Sequence, residues 1–350
     1  MIRKLVITGL VAIAAVVGPA ATKTASADGD KKPFVIKLGT LAPKASTWGN
    51  VFQAWARTVK KETGGACELD WAYGGSAGDE AGMISGMLSK NLHGGALTAT
   101  GLSSIYPSVV ALQMPGLVDT WPQLDTVRNN AKGTFDKAFE DAGYKILGWG
   151  DVGIGHVMFR KSEGKPEVRT PGDLKAYHPF YISGDQIGSM FLVTLGVQSP
   201  RALSVPAILP AIAGRAADSV DIITTPAIAA EQLQWAPHVS HVVDMPIGFG
   251  IGALVMEKNF FASIPDACKP IIAETGKNTS NVLTQAIRGK DGEAWAELKK
   301  TKTVVTLTDA EKAQWQAKFS EVRNKLKSEG KINAGTWQAV TDAAKGARGH

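Results

Sequence analysis

The chain has 350 residues, of which 44% are hydrophobic and 20% are charged. This composition is that of an ordinary globular protein, and it excludes a disordered chain and a coiled coil. The length is sufficient for about two domains or one large domain.

The first 27 residues have the features of a secretory signal peptide. Arg3 and Lys4 give a positive start, residues 5–17 are mainly apolar, and Ala-Ser-Ala at 25–27 supplies a cleavage site. The apolar run is shorter than the roughly 20 residues that cross a bilayer, which disfavours an anchor helix. Cleavage removes three basic residues and no acidic one, so the formal net charge falls from +6 to +3. We therefore expect a soluble, exported protein that binds neither nucleic acid nor an anionic membrane.

Strands and helices alternate along the rest of the chain, which indicates the α/β class. Val51, Trp55 and Val59 share one face of the first predicted helix, and Asp79 is placed to cap the second. In chain order the prediction is a strand at 34–39, a helix at 50–63, a strand at 67–73, a helix at 79–88, a strand at 96–100, one or two helices at 121–142, strands at 144–147 and 156–160, helices at 187–195 and 206–213, a strand at 219–223, a helix at 227–235, a strand at 252–256 and helices at 265–300 and 309–329.

The sequence contains two cysteines, Cys67 and Cys268. An oxidising compartment permits a disulfide, but the sequence alone does not bring the two residues within bonding distance. We expect two buried free thiols, because unpaired cysteine is among the most buried residue types.

Residues 74–78 form a Gly-x-Ser-x-Gly sequence between a predicted strand and a predicted helix. This is the context of a hydrolase nucleophile elbow. However, a single strand–helix unit precedes it, and no histidine has a context that marks it as the base. A flexible glycine turn is therefore favoured, and a secreted serine hydrolase that uses Ser76 stays an alternative.

Residues 148–153 form a Gly-x-Gly-x-x-Gly sequence directly after a predicted strand. A dinucleotide site needs a helix that starts at the third glycine, because the pyrophosphate binds the N-terminus of that helix. Here an extended sequence follows. We therefore interpret the motif as a glycine-rich crossover between strands and expect no nucleotide cofactor.

His238 and His241 are three residues apart, and Asp244 follows them. Pro237 precedes the pair, and no second group of ligating residues is visible in the sequence. A solvent-facing loop is favoured over a metal site, and no metal is expected.

The order of segments resembles that of one family. Residues 36–65 (IKLGTLAPKASTWGNVFQAWARTVKKETGG) and 74–118 (GGSAGDEAGMISGMLSKNLHGGALTATGLSSIYPSVVALQMPGLV) resemble the opening of the DctP-type solute receptors of TRAP (tripartite ATP-independent periplasmic) transporters. The resemblance continues in residues 168–175 (VRTPGDLK), 214–226 (GRAADSVDIITTP) and 252–272 (GALVMEKNFFASIPDACKPII). It runs from about residue 36 to about residue 325.

The resemblance implies a two-lobed periplasmic-binding-protein fold (type II-like), with two α/β sandwiches, a ligand cleft between them and a long hinge-spanning helix. It implies a first lobe of residues 34–151 and 245–290, and a second lobe of residues 152–244 and 291–345 with the C-terminal helices. The protein would be a periplasmic receptor that passes a small molecule to separate membrane subunits, without a cofactor and without catalysis. A non-transport periplasmic sensor module stays a further alternative.

The sequence departs from the family after Asp173-Leu174-Lys175. Members usually carry an arginine shortly after this tripeptide, and its guanidinium binds the ligand's carboxylate in a bidentate pair. Phe180 stands at that position here. Because a carboxylate is costly to bury without a cation or several donors, we expect an apolar or amphipathic ligand.

Two alternatives to an apolar ligand stay open. A small misalignment would hide a cationic partner such as Arg160, Arg201 or Arg215. A cleft can also bind a carboxylate through helix N-termini and hydroxyl groups alone.

Aromatic and hydroxyl side chains near predicted strand ends are the candidates for the ligand site, because such loops meet at the cleft. Packing in a lobe core is the competing interpretation for each aromatic residue. The candidates are Thr40, Trp48, Tyr73, Trp149, Asp151, His178, Phe180, Tyr181, Thr224, Thr225, Trp235 and Phe249.

Overall fold

The computed structural model describes residues 32–198, 200–214 and 219–348. The signal peptide predicted for residues 1–27 lies outside these ranges. The strands within them are β1 (Phe34–Thr40), β2 (Cys67–Ala72), β3 (Gly94–Thr98), β4 (Tyr144–Phe159), β5 (Phe180–Ile182), β6 (Arg201–Leu203), β7 (Ile222–Pro226), β8 (His241–Val243), β9 (Gly248–Glu257) and β10 (Thr303–Val305).

Helices separate most of these strands. None of the helices in the described ranges is long and apolar enough to cross a membrane. They are α1 (Thr47–Glu62), α2 (Glu80–Leu88), α3 (Ala99–Ile105), α4 (Trp121–Asp141), α5 (Gln186–Thr194), α6 (Val205–Ala213), α7 (Ala227–Gln232), α8 (Lys258–Ser263), α9 (Lys269–Thr301), α10 (Asp309–Ser328) and α11 (Ala334–Arg348).

One mixed sheet of eight strands carries the fold, in the order β10-β8-β4-β9-β3-β1-β2, with β7 also paired to β4. β5 and β6 form a separate parallel pair. β4 pairs with β9 from Tyr144, opposite Glu257, to Gly155, opposite Gly248. Its last residues pair with β7 and β8 instead. β4 therefore links the part of the sheet that contains β9, β3, β1 and β2 to the part that contains β7, β8 and β10.

The prediction of two separate strands at 144–147 and 156–160 was wrong, because the glycines between them continue β4. Gly148, Gly150 and Gly153 all pair with β9, with a shift of register before Gly148 and another before Gly153. Gly153 has a φ of +127°, and a Cβ there would lie 2.5 Å from the Cβ of Pro226. A side chain at this bulge would be strained and would collide with β7. No helix begins at the third glycine, so the motif lacks the geometry of a dinucleotide site.

The long helix α9 packs along β4, with α1 beside one part of it and α7 beside another. Its buried residues Ile272, Leu283 and Leu298 belong to the same apolar core as residues of β1, β2 and β7. This arrangement places α9 against both halves of the sheet.

The lobe boundaries given above remain a prediction. α11 packs against α4, and Val340 of α11 shares an apolar core with Leu124 and Phe135 of α4. Since α4 belongs to the segment predicted for the first lobe, this packing favours assigning α11 to that lobe as well.

A disulfide joins Cys67, the first residue of β2, to Cys268, which precedes α9. The expectation of two free thiols was therefore wrong. The two residues are 201 positions apart in the sequence, and both are buried in the core that contains β2 and α9. Only the packing of α9 beside this sheet edge brings them together.

Replacing both cysteines by serine (C67S/C268S) should lower the free energy of unfolding by about 2–5 kcal/mol, because the crosslink restricts the unfolded chain. Urea denaturation of the wild type and the double variant measures the loss. A reductant should lower the unfolding midpoint of the wild type and leave that of the double variant unchanged. A wild type that is insensitive to reductant would contradict the pairing.

Candidate functional site

Two adjacent cavities lie beside the middle of β4 and the end of β7. Cavity 1 has a volume of about 190 Å³ and is lined from β1, α1, α2, β3, β4, β5, α6, β7, α7, β9 and α9. Most of its wall is apolar, and it includes the rings of Trp48, Phe52 and Trp235. Its polar lining residues are Thr40, Glu80, Thr98, Asp151, Thr224, Thr225 and Ser280.

Cavity 2 has a volume of about 230 Å³ and is lined from β4, β5, α5, β7, β9 and α10. It shares Ile182, Thr224, Thr225 and Pro226 with cavity 1. Its polar side chains come from Gln113, Asp185, Tyr181 and the two shared threonines. The aromatic lining residues are Phe180, Tyr181, Phe191, Phe249, Trp315 and Phe319.

Among the described residues that line the two cavities, none is lysine, arginine or histidine. The acidic lining residues are Glu80, Asp151 and Asp185. Asp151 pairs with two arginines. Glu80 and Asp185 accept hydrogen bonds from backbone N–H groups and, for Glu80, from a threonine hydroxyl. The walls therefore offer a ligand apolar surface, hydroxyl groups, indole N–H groups and the carboxyl groups of Glu80 and Asp185, and none of the described lining residues is cationic.

Glu80 lies at the start of α2 and is buried. Its carboxylate accepts hydrogen bonds from the Thr98 backbone N–H (2.5 Å), the Thr98 hydroxyl (2.7 Å) and the Gly101 backbone N–H (2.8 Å). Burial raises the pKa of Glu80, and these hydrogen bonds oppose the rise. The side chain therefore ties α2 to the start of α3 behind the wall of cavity 1.

Asp151 and Arg128 are buried, and they form a charge cluster with the partly exposed Asp125 and Arg288. Asp151 accepts hydrogen bonds from Arg128 Nη1 and Arg288 Nε, both at 2.6 Å. Asp125 bonds to the same two guanidinium groups at 2.6–2.7 Å. Burial acts to raise the pKa of Asp125, but the two arginines outweigh it and lower that pKa. The cluster thus joins α4, β4 and α9, and it uses both arginines internally.

Most of the predicted site residues line the cavities. Thr40, Trp48, Asp151 and Trp235 line cavity 1, and Phe180, Tyr181 and Phe249 line cavity 2. Thr224 and Thr225 line both, and Thr224 is exposed at their common wall.

Tyr73, Trp149 and His178 line neither cavity. Trp149 packs edge-to-face on Phe135 and Phe139, with ring centroids 5.8 and 6.3 Å apart, within an apolar core. Tyr73 packs on the aromatic core around β2. The side chain of His178 is 60% exposed, and its Nδ1 lies 3.2 Å from an Asp221 carboxylate oxygen. Tyr73 and Trp149 therefore have packing roles in apolar cores, and His178 forms a polar contact at the surface.

The cationic partners considered above do not line the cavities. Arg160 donates hydrogen bonds to the backbone carbonyls of Ile212 (2.6 Å) and Gly214 (3.2 Å). Arg201 is exposed in β6. Arg215 lies outside the described residues.

Several lining residues were not predicted. Ser280 and Leu283 project from α9 into cavity 1, and their spacing of three places them on one helix face. Trp315 and Phe319 of α10 line cavity 2 and are four residues apart. Helical spacing identifies such pairs as buried, but the sequence alone does not distinguish a cavity wall from a core.

The other chemical interpretations gain no support from the structure. Ser76 is exposed, and within the described ranges its hydroxyl forms no hydrogen bond to a histidine. Among the described residues no group of three His, Cys, Asp or Glu side chains is arranged to hold a metal ion. His241 instead contacts the ring of Phe159 and the Ser240 hydroxyl.

A family model described as "Bacterial extracellular solute-binding protein, family 7", or DctP, matches residues 38–329. The chain belongs to this family. The predicted resemblance to the DctP-type receptors of TRAP transporters is thereby confirmed. Receptors of this family bind small molecules and deliver them to membrane subunits, and they are not enzymes.

Solved structures of such receptors share the fold. The TRAP periplasmic solute-binding protein of Ralstonia eutropha H16, with bound (S)-2-acetolactate, has a TM-score of 0.78 and 21% identity, covering 89% of this chain and 98% of that one. The sugar acid binding protein DctPAm from Advenella mimigardefordensis, in complex with galactonate, has a TM-score of 0.75 and 18% identity, covering 91% and 100%. The Bordetella pertussis receptor DctP7, which binds pyroglutamic acid, has a TM-score of 0.77 and 16% identity, covering 89% and 99%. The predicted α/β, two-lobed periplasmic-binding-protein fold is confirmed.

Replacing Asp151 by alanine should lower the free energy of unfolding of this receptor by about 3–5 kcal/mol, because it breaks the ion pairs of Asp151 with Arg128 and Arg288 and leaves them only the partly exposed Asp125. Asp136→Ala provides the matched control, since Asp136 pairs with Lys132 on an exposed face of α4. The Asp136→Ala substitution should lower the free energy of unfolding by less than about 1 kcal/mol. Equal losses for both variants in urea denaturation would contradict a structural role for the charge cluster.

His156 lies in β4 opposite Thr225, is buried, and stacks on Trp295 with ring centroids 3.7 Å apart. Burial lowers the pKa of His156 from 6.5 to about 4, although a hydrogen bond with the backbone of Met245 opposes the shift. Between these two pKa values the unfolded chain takes up a proton that the folded chain does not. Stability from the neutral imidazole is therefore complete above pH 6.5 and is lost as the pH falls toward 4.

The comparison of wild type with His156→Phe tests this pH dependence, because phenylalanine keeps a ring and removes the titration. Between about pH 7 and about pH 4, the wild type should lose about 3 kcal/mol more than the variant. Denaturation at a series of pH values measures both curves. Parallel curves would contradict the lowered pKa.

Proposed function

We propose that this chain is the periplasmic receptor of a TRAP transporter for a small apolar or amphipathic molecule that lacks a carboxylate group. The ligand would bind in cavities 1 and 2, between the lobes, and would pass to the membrane subunits. Export would depend on the signal peptide predicted for residues 1–27.

The observation that supports this ligand class is the charge of the cavity walls. No described lining residue carries a positive charge. The two arginines that contact the lining residue Asp151, Arg128 and Arg288, are paired with Asp125 and Asp151. A carboxylate without a cation or several donors is costly to bury. A bidentate guanidinium is the usual protein solution, and Phe180 lines cavity 2 where the family resemblance places that arginine.

The solved relatives named above were determined with acids, namely (S)-2-acetolactate, galactonate and pyroglutamic acid. Their identities to this chain, from 16% to 21%, show a shared fold and do not transfer a ligand. The apolar ligand proposed here therefore rests on the residues of this chain.

The size of the cavities fits small apolar groups. An apolar cavity of about 150 Å³ in another protein binds benzene. Cavities 1 and 2, at about 190 and 230 Å³, are each large enough for one ring or a short branched chain. Trp48, Phe180 and Trp235 offer flat faces to such groups, and burial of a ring stabilises the complex by removing apolar surface from water.

A few polar groups are available to orient an amphipathic molecule. The side chains of Thr224, Thr225, Trp48 and Trp235 line the cavities, and within the described ranges none of them forms a hydrogen bond. A hydroxyl or carbonyl oxygen of the ligand would therefore find donors without displacing a protein partner.

A panel of compounds tests the ligand class by thermal unfolding, because a ligand stabilises its receptor by mass action. The panel contains neutral aromatic and alicyclic alcohols and ketones on one side, and succinate, galactonate, pyroglutamate and 2-acetolactate on the other. We expect a raised unfolding temperature with neutral members and no shift with the acids. Stabilisation of the wild type by an acid, with none by a neutral compound, would contradict the proposal.

Substitution of Phe180 makes the test specific to cavity 2. Phe180→Arg should weaken binding of a stabilising neutral compound by about tenfold or more, because it brings a charge into an apolar wall. Phe180→Leu is the matched control, since it keeps an apolar side chain, and it should have a smaller effect. Equal affinities of wild type and Phe180→Arg would remove Phe180 from the ligand site.

A further inference from the structure

A pair of reciprocal hydrogen bonds joins the two sides of cavity 1. The backbone N–H of Thr47 donates to Oε1 of Gln232 at 2.8 Å, and Nε2 of Gln232 donates to the hydroxyl of Thr47 at 2.8 Å. Thr47 is the first residue of α1, and Gln232 is the last residue of α7. The two residues are 185 positions apart in the sequence, so the contact depends entirely on the tertiary fold.

The pair lies next to the cavity wall on both sides. Trp48 follows Thr47 and Leu233 follows Gln232, and both of these neighbours line cavity 1. Within the described residues, these two hydrogen bonds are the side-chain hydrogen bonds that join the segment of Trp48 to that of Leu233. The pair thus lies directly beside two wall residues of cavity 1.

The opposite end of α7 is held independently. Asp291 of α9 accepts hydrogen bonds from the backbone N–H of Ile228 (3.0 Å) and of Ile154 in β4 (2.8 Å). Asp291 is buried, so its contacts are shielded from water. α7 is therefore anchored at its first turn by Asp291, and the side chain of its last residue, Gln232, bonds to Thr47.

Thr47 and Gln232 are half-buried and uncharged. Neutral hydrogen bonds that water can replace have a modest net free energy, so they open reversibly. The Thr47 N–H is also one of the groups that an α-helix leaves without an internal partner at its N-terminus, so Gln232 supplies a bond that the helix itself cannot.

We propose that Thr47 and Gln232 form a clasp that holds α7 against α1 and sets the rate at which molecules enter and leave cavity 1. The two residues are positioning residues, because they act through Trp48 and Leu233. The proposal rests on the proposed function in one respect, namely that cavity 1 is part of the ligand site.

A cysteine inside cavity 1 measures the opening of the clasp without any ligand. Ala229→Cys places a thiol in the wall of this cavity, and the two native cysteines are paired, so the new thiol is the reactive one. The probe is 4,4′-dithiodipyridine, a small neutral aromatic disulfide whose reaction with a thiol releases 4-thiopyridone, followed by absorbance. Val157→Cys places a thiol of similar size in the wall of cavity 2 and reports on general loosening.

In the Ala229→Cys background, Gln232→Ala should accelerate labelling by about 5- to 30-fold, since it removes two neutral hydrogen bonds. Thr47→Val removes the hydroxyl and keeps the backbone N–H, so it should give a smaller acceleration. Thr47→Ser keeps the hydroxyl and should leave the rate unchanged, as should Gln234→Ala at an exposed neighbouring position. Labelling of Val157→Cys should not respond to Gln232→Ala.

Two results would overturn the clasp. One is a labelling rate of Ala229→Cys that Gln232→Ala and Thr47→Val leave unchanged. The other is equal acceleration at Ala229→Cys and Val157→Cys, which would indicate loosening of the whole fold. Neither result depends on ligand identity, so the discovery of an acidic ligand would overturn the proposed function and leave the clasp standing.

Discussion

The pairing of β4 with β9 is the interaction on which the rest of the structure depends. It runs from Tyr144 to Gly155 along β4, and the remainder of β4 pairs with β7 and β8. Because one strand passes through both halves of the sheet, residues in its middle lie next to both cavities. The bulge at Gly153 lets β4 pass close to Pro226 and Asp291, where a side chain would collide. α9 packs along β4, and α1 and α7 pack on α9.

The position of β4 also determines which charged side chains meet beside the cavities, and therefore which ligands the cavities suit. Arg128 and Arg288 approach β4 from α4 and α9, but Asp125 and Asp151 pair with both of them. The two guanidinium groups therefore form ion pairs within the protein that join α4, β4 and α9. Over the described part of the cavity walls, a ligand meets mainly apolar side chains, with hydroxyl, indole N–H and carboxyl groups and no cationic side chain. This is the physical difference between this receptor and one that clamps a carboxylate with arginine.

Local signals in the sequence predicted most elements, whereas features that depend on distant segments were missed. Asp79 caps α2 through the backbone N–H of Gly82, as its position indicated. The glycines at 148–155 were interpreted as a crossover between two strands, because the strand propensity of glycine is low and takes no account of pairing with β9. The bond between Cys67 and Cys268 was missed for the same reason. In the site, Trp149 and Phe180 were both predicted as wall residues. Each packs against an apolar core, but only Phe180 also lines a cavity, and the sequence alone does not show that difference.

The central claim is that the cleft binds a molecule without a carboxylate group. The most direct measurement is native mass spectrometry of the receptor purified from its own host without added ligand, followed by release under denaturing conditions and identification of the released molecule. The account predicts a neutral apolar or amphipathic compound of a size that fits cavities of about 190 and 230 Å³. Release of a small dicarboxylate or a sugar acid would contradict it.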